Sequence, residues 1–262
     1  MQALRKLVST ALLLTLLLGL GLVSLGWNLL AALLYPLLGE RTGKRLGRQA
    51  ISRCYRGFWA VAVASGILEL ESEALDALRD EPGLIIAANH PSMLDALILV
   101  ARLPRSACIM KADLMKNIFL GAGARLARYI RNDSARGMVR GAVQDLRDGG
   151  QLVIFPEGTR TTQRPVNPFG SAAPLIAKLA NAPIQTVFID TNSPYLGKGW
   201  PIWRLPPLPI VFTIRLGERF APAADAHDLQ HRLERYFAAG VRSSPAAAAP
   251  AATAEHSEAR SA

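Results

Sequence analysis

Hydrophobic and polar positions divide the chain into three regions. From Leu7 to Leu38 no charged residue occurs, through the run VSTALLLTLLLGLGLVSLGWNLLAALLYPLL. As one straight helix this stretch would be about 48 Å long at ~1.5 Å per residue, more than a ~30 Å hydrocarbon core. The pattern predicts a membrane-embedded helical segment. Either it makes one tilted span, or it folds as a re-entrant hairpin broken near Gly19, Gly21, Gly26 and Asn28. A cleaved signal peptide fits less well, because its apolar region usually runs ~7–15 residues and no small-x-small cleavage site follows.

Past residue 48, short apolar runs alternate with amphipathic stretches. GLIIAA (83–88), SACIMKA (106–112), QLVIF (151–155), IQTVFI (184–189) and PIVFTIRLG (209–217) read as strands. Helices are expected from about Ser92 to Leu103, over SARGMVRGAVQDLRDGG up to Gly149, over SAAPLIAKLANA despite Pro174, and over DAHDLQHRLERYFAA. This alternation predicts an α/β fold, a largely parallel sheet flanked by helices. Residues 195–208, with two Trp and three Pro, read as an irregular surface loop whose Trp side chains pack on the core or touch lipid or substrate. From about Ser243 the Ala/Pro/Ser-rich tail supplies no core and is expected to be disordered. The organisation is thus a membrane-anchoring segment (1–48), a catalytic domain (49–242) and a tail (243–262).

Composition narrows the partners. Half of the 262 residues are hydrophobic, yet the formal net charge is +10. That pairing points to an anionic membrane surface before it points to nucleic acid, and no nucleic-acid-binding motif is present. Arg5 and Lys6 precede the apolar run, while Arg41, Lys44, Arg45, Arg48, Arg53 and Arg56 follow it. The positive-inside rule puts the downstream side in the cytoplasm, at the inner membrane, and positive charge at both ends favours the hairpin. Cys54 and Cys108 fit neither a metal pattern nor a disulfide framework.

Chemistry enters where one apolar element stops and the next starts, at Asn89-His90-Pro91-Ser92 and Asp95. A structural reading makes Ser92 and Asp95 a capping box. A catalytic reading places His90 at the carboxyl end of a strand, where open α/β sheets bind ligands. Asp95 would then fix one imidazole nitrogen and leave the other to take a proton from a substrate hydroxyl. Pro156-Glu157-Gly158-Thr159-Arg160 lies just past another predicted strand and faces the same crevice. Its Arg160 offers a planar fork for phosphate. Glu157 can accept hydrogen bonds from hydroxyls or orient Arg160, and Gly158 permits close approach or positive φ.

NHPSMLD and FPEGTR together match the N-H-x-x-x-x-D and F-P-E-G-T-R motifs. In order and separation the chain resembles the glycerolipid acyltransferases, the family of 1-acylglycerol-3-phosphate O-acyltransferase. Weaker similar blocks begin at Lys111 and at Ala182-Pro183-Ile184. The resemblance implies a fatty acyl thioester donor, on coenzyme A or acyl carrier protein, and a lysophospholipid hydroxyl acceptor at the membrane. It needs no cofactor or metal. It makes His90 the general base and Asp95 its orienting partner, with direct transfer and no acyl-enzyme. Asn89, Lys111, Glu157, Gly158, Thr159 and Arg160 are implied to bind substrate. One departure stands out: the family's second block commonly ends in an apolar pair followed by Asp-Arg, whereas Tyr129-Ile130 is followed by Arg131-Asn132-Asp133. This ending resembles bacterial members proposed to build other lipids, such as aryl-polyene conjugates.

Three rivals are weaker. Ser92 as a hydrolase nucleophile has no G-x-S-x-G elbow. His227 and His231 as metal ligands have no H-E-x-x-H around them. A non-catalytic membrane-anchored lipid-binding protein would have no need of both motifs intact.

Overall fold

The computed structural model describes residues 2–163, 165–201 and 204–242; the tail and Trp203 of the 195–208 segment lie outside them. Its centre is a seven-stranded sheet. The strands are β1 (Leu68–Glu71), β2 (Leu84–Ala88), β3 (Ser106–Lys111), β4 (Ile130–Asn132), β5 (Gln151–Ile154), β6 (Ile184–Thr191) and β7 (Ile210–Phe220). Their order is β1-β7-β6-β2-β5-β3-β4. Only β6 and β7 pair antiparallel; the other neighbours run parallel. The α/β architecture expected from the alternating runs is the one observed.

The apolar runs form central strands because both of their faces are covered. All of LIIAA in β2 is buried. Its alternate residues serve different layers, Ile85 and Ala87 on one face and Leu84, Ile86 and Ala88 on the other. The first face carries α5 (Ala135–Arg147), α6 (Ala172–Ala180) and α7 (Ala226–Arg242). The second carries α1 (Gln2–Leu34), α2 (Glu40–Ala64) and α3 (Asp95–Arg102), with the short α4 (Gly121–Leu126) packed against α1. Pro174 is tolerated because it sits in the first turn of α6, where its missing N–H has no helical partner to lose.

The apolar N-terminal run is one unbroken helix through Leu34. The expected breaks at Gly19 to Asn28 do not occur; the chain turns at 35–39, around Pro36, and re-enters α2. Asn28 instead docks α1 on α4. Its Oδ1 accepts from the Gly123 N–H at 2.7 Å and its Nδ2 donates to the Ile118 carbonyl. Gly123 has to be glycine, since a Cβ there would lie 2.7 Å from Trp27 Nε1. Leu7, Leu14, Leu18, Leu22, Leu29 and Leu33 of α1 remain exposed.

The boundary expected at residue 48 falls inside α2. Arg48 is buried and donates two hydrogen bonds to Asp145 of α5, at 2.8 and 3.1 Å. It also binds the Ala127 and Arg105 carbonyls, and Lys44 adds a 2.5 Å ion pair to Asp145. The basic segment is therefore bolted into the catalytic domain, and no linker separates the two.

Candidate active site

β2 and β5 are parallel neighbours, with Ala87 opposite Ile154, so both polar motifs emerge at the carboxyl end of the sheet. Asn89 comes first. Its Oδ1 accepts from Ile189 N at 2.7 Å and its Nδ2 donates to Ile189 O at 2.9 Å. The side chain acts as one more rung between β2 and β6. Expected to touch substrate, Asn89 is consumed by the fold and does not line the cavity described below.

His90 follows. In the tautomer protonated at Nδ1 it donates to Asp95 Oδ2 at 2.9 Å, and among the described residues Nε2 has no partner. Its ring stacks on Phe155, centroids 3.9 Å apart and planes 14° from parallel. The ring is thus fixed in plane by one neighbour and in rotation by another. Asp95 is fully buried at the start of α3. Its Oδ2 also accepts from Ser92 N at 2.7 Å, so one oxygen makes both the bond a capping box requires and the bond an orienting partner requires. Oδ1 is buried without a partner. Burial pushes the Asp95 carboxyl up from 3.8 to about 6, against the opposing hydrogen bonds from His90 and Ser92.

Glu157 is also buried. It accepts from the His90 N–H at 3.0 Å, the Thr161 hydroxyl at 2.7 Å and the Asn167 N–H at 2.8 Å. A return bond runs from Thr161 N to His90 O at 2.8 Å. Expected at the substrate, Glu157 instead clamps the two motif turns together, and among the described residues it makes no hydrogen bond or ion pair with Arg160. Gly158 holds φ +67°, a backbone state that favours glycine.

Arg160 Nη1 donates to the Leu196 and Gly197 carbonyls at 2.8 and 3.0 Å. Its Nε and Nη2 carry no bond among the described residues. The same segment accepts from Met93 N through Leu196 O at 3.1 Å and from Ser92 Oγ through Tyr195 O at 2.9 Å. Residues 195–197 are therefore a strap across both motifs, with Tyr195 and Leu196 buried. This start of the 195–208 segment is not the surface loop expected there, although Lys198, Gly199 and Arg204 further along are exposed. Trp200 packs partly on the core. The engagement of Ser92 Oγ, buried and turned to a carbonyl, leaves no hydroxyl poised beside His90.

A cavity of about 640 Å³ opens at this end of the sheet. Its polar part is lined by His90, Lys111, Gly158, Thr159 and Arg160. Its apolar part runs between α1 and the sheet, past Leu20, Val23 and Trp27 of α1, Tyr55 of α2 and Cys108 of β3. Burial pushes the Cys108 thiol up to about 12, so it is a neutral apolar group there. Sequence reasoning did not assign Phe155 or the α1 residues. The Phe of FPEGTR was the available signal for the first, and nothing distinguished the second within a uniformly apolar helix. His227 and His231 face each other on the exposed side of α7, Nε2 to Nε2 3.0 Å, outside this cavity.

A family profile described as Acyltransferase matches residues 69–190, which include every residue of both motifs. A 1-acyl-sn-glycerol-3-phosphate acyltransferase of Pseudomonas aeruginosa is 24% identical over 180 residues, 66% of this chain and 68% of that protein. The crystal structure of the 1-acyl-sn-glycerophosphate acyltransferase from Thermotoga maritima superposes with a TM-score of 0.67. The match covers 92% of this chain and 97% of that one at 22% identity, and it shows the shared fold.

Proposed function

We propose that this acyltransferase, similar to the glycerolipid acyltransferases, moves a fatty acyl group from a thioester to the hydroxyl of a lysophospholipid such as 1-acyl-glycerol-3-phosphate. The observation that carries this reading is His90 Nε2, without a partner among the described residues, with Asp95 bound to Nδ1 behind it and Arg160 and Lys111 lining the same cavity. Arg160 and Lys111 hold the acceptor phosphate. Nε2 takes the proton of the acceptor hydroxyl as its oxygen attacks the thioester carbonyl. Asp95 stabilises the imidazolium so formed. Collapse of the tetrahedral intermediate breaks the carbon–sulfur bond, and the departing thiolate takes the proton back from Nε2. The acyl chain occupies the apolar part of the cavity against α1.

The membrane supplies the acceptor. α1 is apolar over Leu7–Leu34 and lies along the catalytic domain, with Leu13 and Ala31 buried at opposite ends of that contact. Its exposed leucines enter lipid, and the basic residues of α2 meet anionic headgroups on the cytoplasmic side. A second acceptor reading has one observation in its favour. Arg131 turns onto Asp133 at 2.6 Å, and neutral Asn132 lines the cavity. One fewer cation there suits an acceptor without a glycerophosphate headgroup, such as an aryl-polyene conjugate.

The test is thiol release from palmitoyl-coenzyme A by purified protein in detergent, with products identified by mass spectrometry. Release that depends on 1-acyl-glycerol-3-phosphate and yields the diacyl product supports the first reading. Release without acceptor indicates a thioesterase, and no release with any acceptor indicates a lipid-binding protein.

A further inference from the structure

The helices on the face of the sheet away from α1 leave a second open groove, of about 520 Å³, between α5 and α6. Its floor is apolar, made by Val139 and Val143 of α5 and by Leu175 and Leu179 of α6. Its rim is cationic, made by Arg136, Arg140 and Arg147. These arginines recur at a helical spacing along one side of α5 and cover about 16 Å at ~1.5 Å per residue. Arg147 is tied to Leu179 O at 2.7 Å. Arg136 and Arg140 are exposed and have no partner among the described residues. No acidic side chain lines the groove; the nearby Asp133 and Asp148 are engaged by Arg131 and Gln144.

Two features say what this surface is for. First, it lies next to the catalytic cavity. Asn132 at the end of β4, Met138 in the first turn of α5, and Ala172 and Ala173 at the start of α6 line the catalytic cavity, while Ala135, Arg136 and Leu175, close to them in the chain, line the groove. Second, it faces water. α1 and α2 pack on one face of the sheet and α5 and α6 on the other, so a bilayer engaged through α1 does not reach the arginines.

Resting on the thioester-donor reading, we propose that the α5–α6 groove is the docking site of a soluble, acidic carrier protein that delivers the acyl thioester. A carrier helix with an apolar spine and acidic flanks fits an apolar floor rimmed by spaced arginines. The phosphates of a nucleotide donor call instead for converging cations, which this stripe does not provide. A carrier seated at the N-terminal end of the groove sends its flexible acyl arm past Arg136 into the cavity.

The test compares the native protein with the double variant Arg136→Glu/Arg140→Glu, both in detergent. The probes are palmitoyl-acyl carrier protein from a bacterium and palmitoyl-coenzyme A. Affinity for the carrier is measured directly by surface plasmon resonance at two salt concentrations, and turnover by thiol release. The proposal expects carrier affinity and carrier-supported kcat/KM to fall at least about tenfold in the variant, relative to the coenzyme A reaction, and native binding to weaken with salt. A native protein with no affinity for the carrier overturns the docking site, as does a variant that binds it as well as the native protein. So does an equal loss with both donors. Thiol release from neither donor by the native protein overturns the transferase reading instead, and the binding measurement still decides the groove.

Discussion

Asp95→Asn separates the stability of the catalytic turn from its chemistry. The carboxylate is fully buried and lies 2.9 Å from His90 Nδ1. Its carboxyl sits at about 6 rather than 3.8, so ionisation at pH 7 costs the fold about 3 kcal/mol at ~1.4 kcal/mol per decade. A neutral amide removes that cost. It keeps one oxygen for the Ser92 and His90 donors but buries an NH₂ where Oδ1 has no partner, a penalty of about 1–3 kcal/mol. The two effects nearly cancel, and the melting temperature should barely move. Catalysis has no such compensation. A unit charge about 4 Å from the imidazolium contributes of order 4 kcal/mol at an effective dielectric near 20, which is about 10³-fold in rate. The assay is acyl transfer at saturating donor and acceptor, paired with melts in detergent. Turnover within about tenfold of native would refute the orienting role. A large drop in melting temperature would assign the activity loss to the fold instead.

Three further outcomes follow from the same geometry. Arg160→Lys cannot serve the Leu196 and Gly197 carbonyls and a phosphate together, so the acceptor KM should rise about tenfold or more; a rise confined to the donor KM would contradict the phosphate role. Since Asp95 is charged only above about pH 6, acidification through that value neutralises it, and kcat/KM should fall between pH 7 and 5; a flat profile there would remove the carboxylate from the mechanism. Asn28→Leu leaves Gly123 N–H and Ile118 O without their side-chain partner, at about 1–3 kcal/mol each; calorimetric melts in detergent should show a loss of several degrees.

Legibility in the sequence followed the physics of each element. β2, β5 and β6 are covered on both faces and advertise themselves as continuous apolar runs. β1 is written LELE and buried at only one position, so its charges hid it beside β7. β4 has three residues, too few for any pattern. α2 was mistaken for a basic flank because the face it buries is made of Gly43, Gly47, Arg48 and Ser52 as well as Ile51, Trp59 and Ala62. Gly47 lies against the Ala127 backbone, where a Cβ would meet it at 2.7 Å. Small residues allow such an approach without producing apolar periodicity. In the site, His90 and Asp95 stood out as polar residues between apolar runs. Asn89 and Glu157 were misplaced because their partners are backbone groups of remote segments, and a carbonyl or N–H has no letter in a sequence. The strap at 195–197 escaped for the same reason.

The placement of the site explains why a long apolar helix and an α/β fold share one short chain. The open end of the sheet is where the helix layers of its two faces meet, with α1 and α2 on one and α5 and α6 on the other. The chain builds an apolar channel by leaving a gap between the sheet and α1. Leu20, Val23 and Trp27 close that gap, so the channel is complete only while α1 is docked. Apolar contact alone cannot hold α1 there, because lipid tails satisfy leucine as well as protein does. What distinguishes the docked position is polar. Asn28 finds a donor and an acceptor on the α4 side and would find neither in hydrocarbon. A single asparagine in an uncharged run thus fixes the wall of the cavity that His90 also lines.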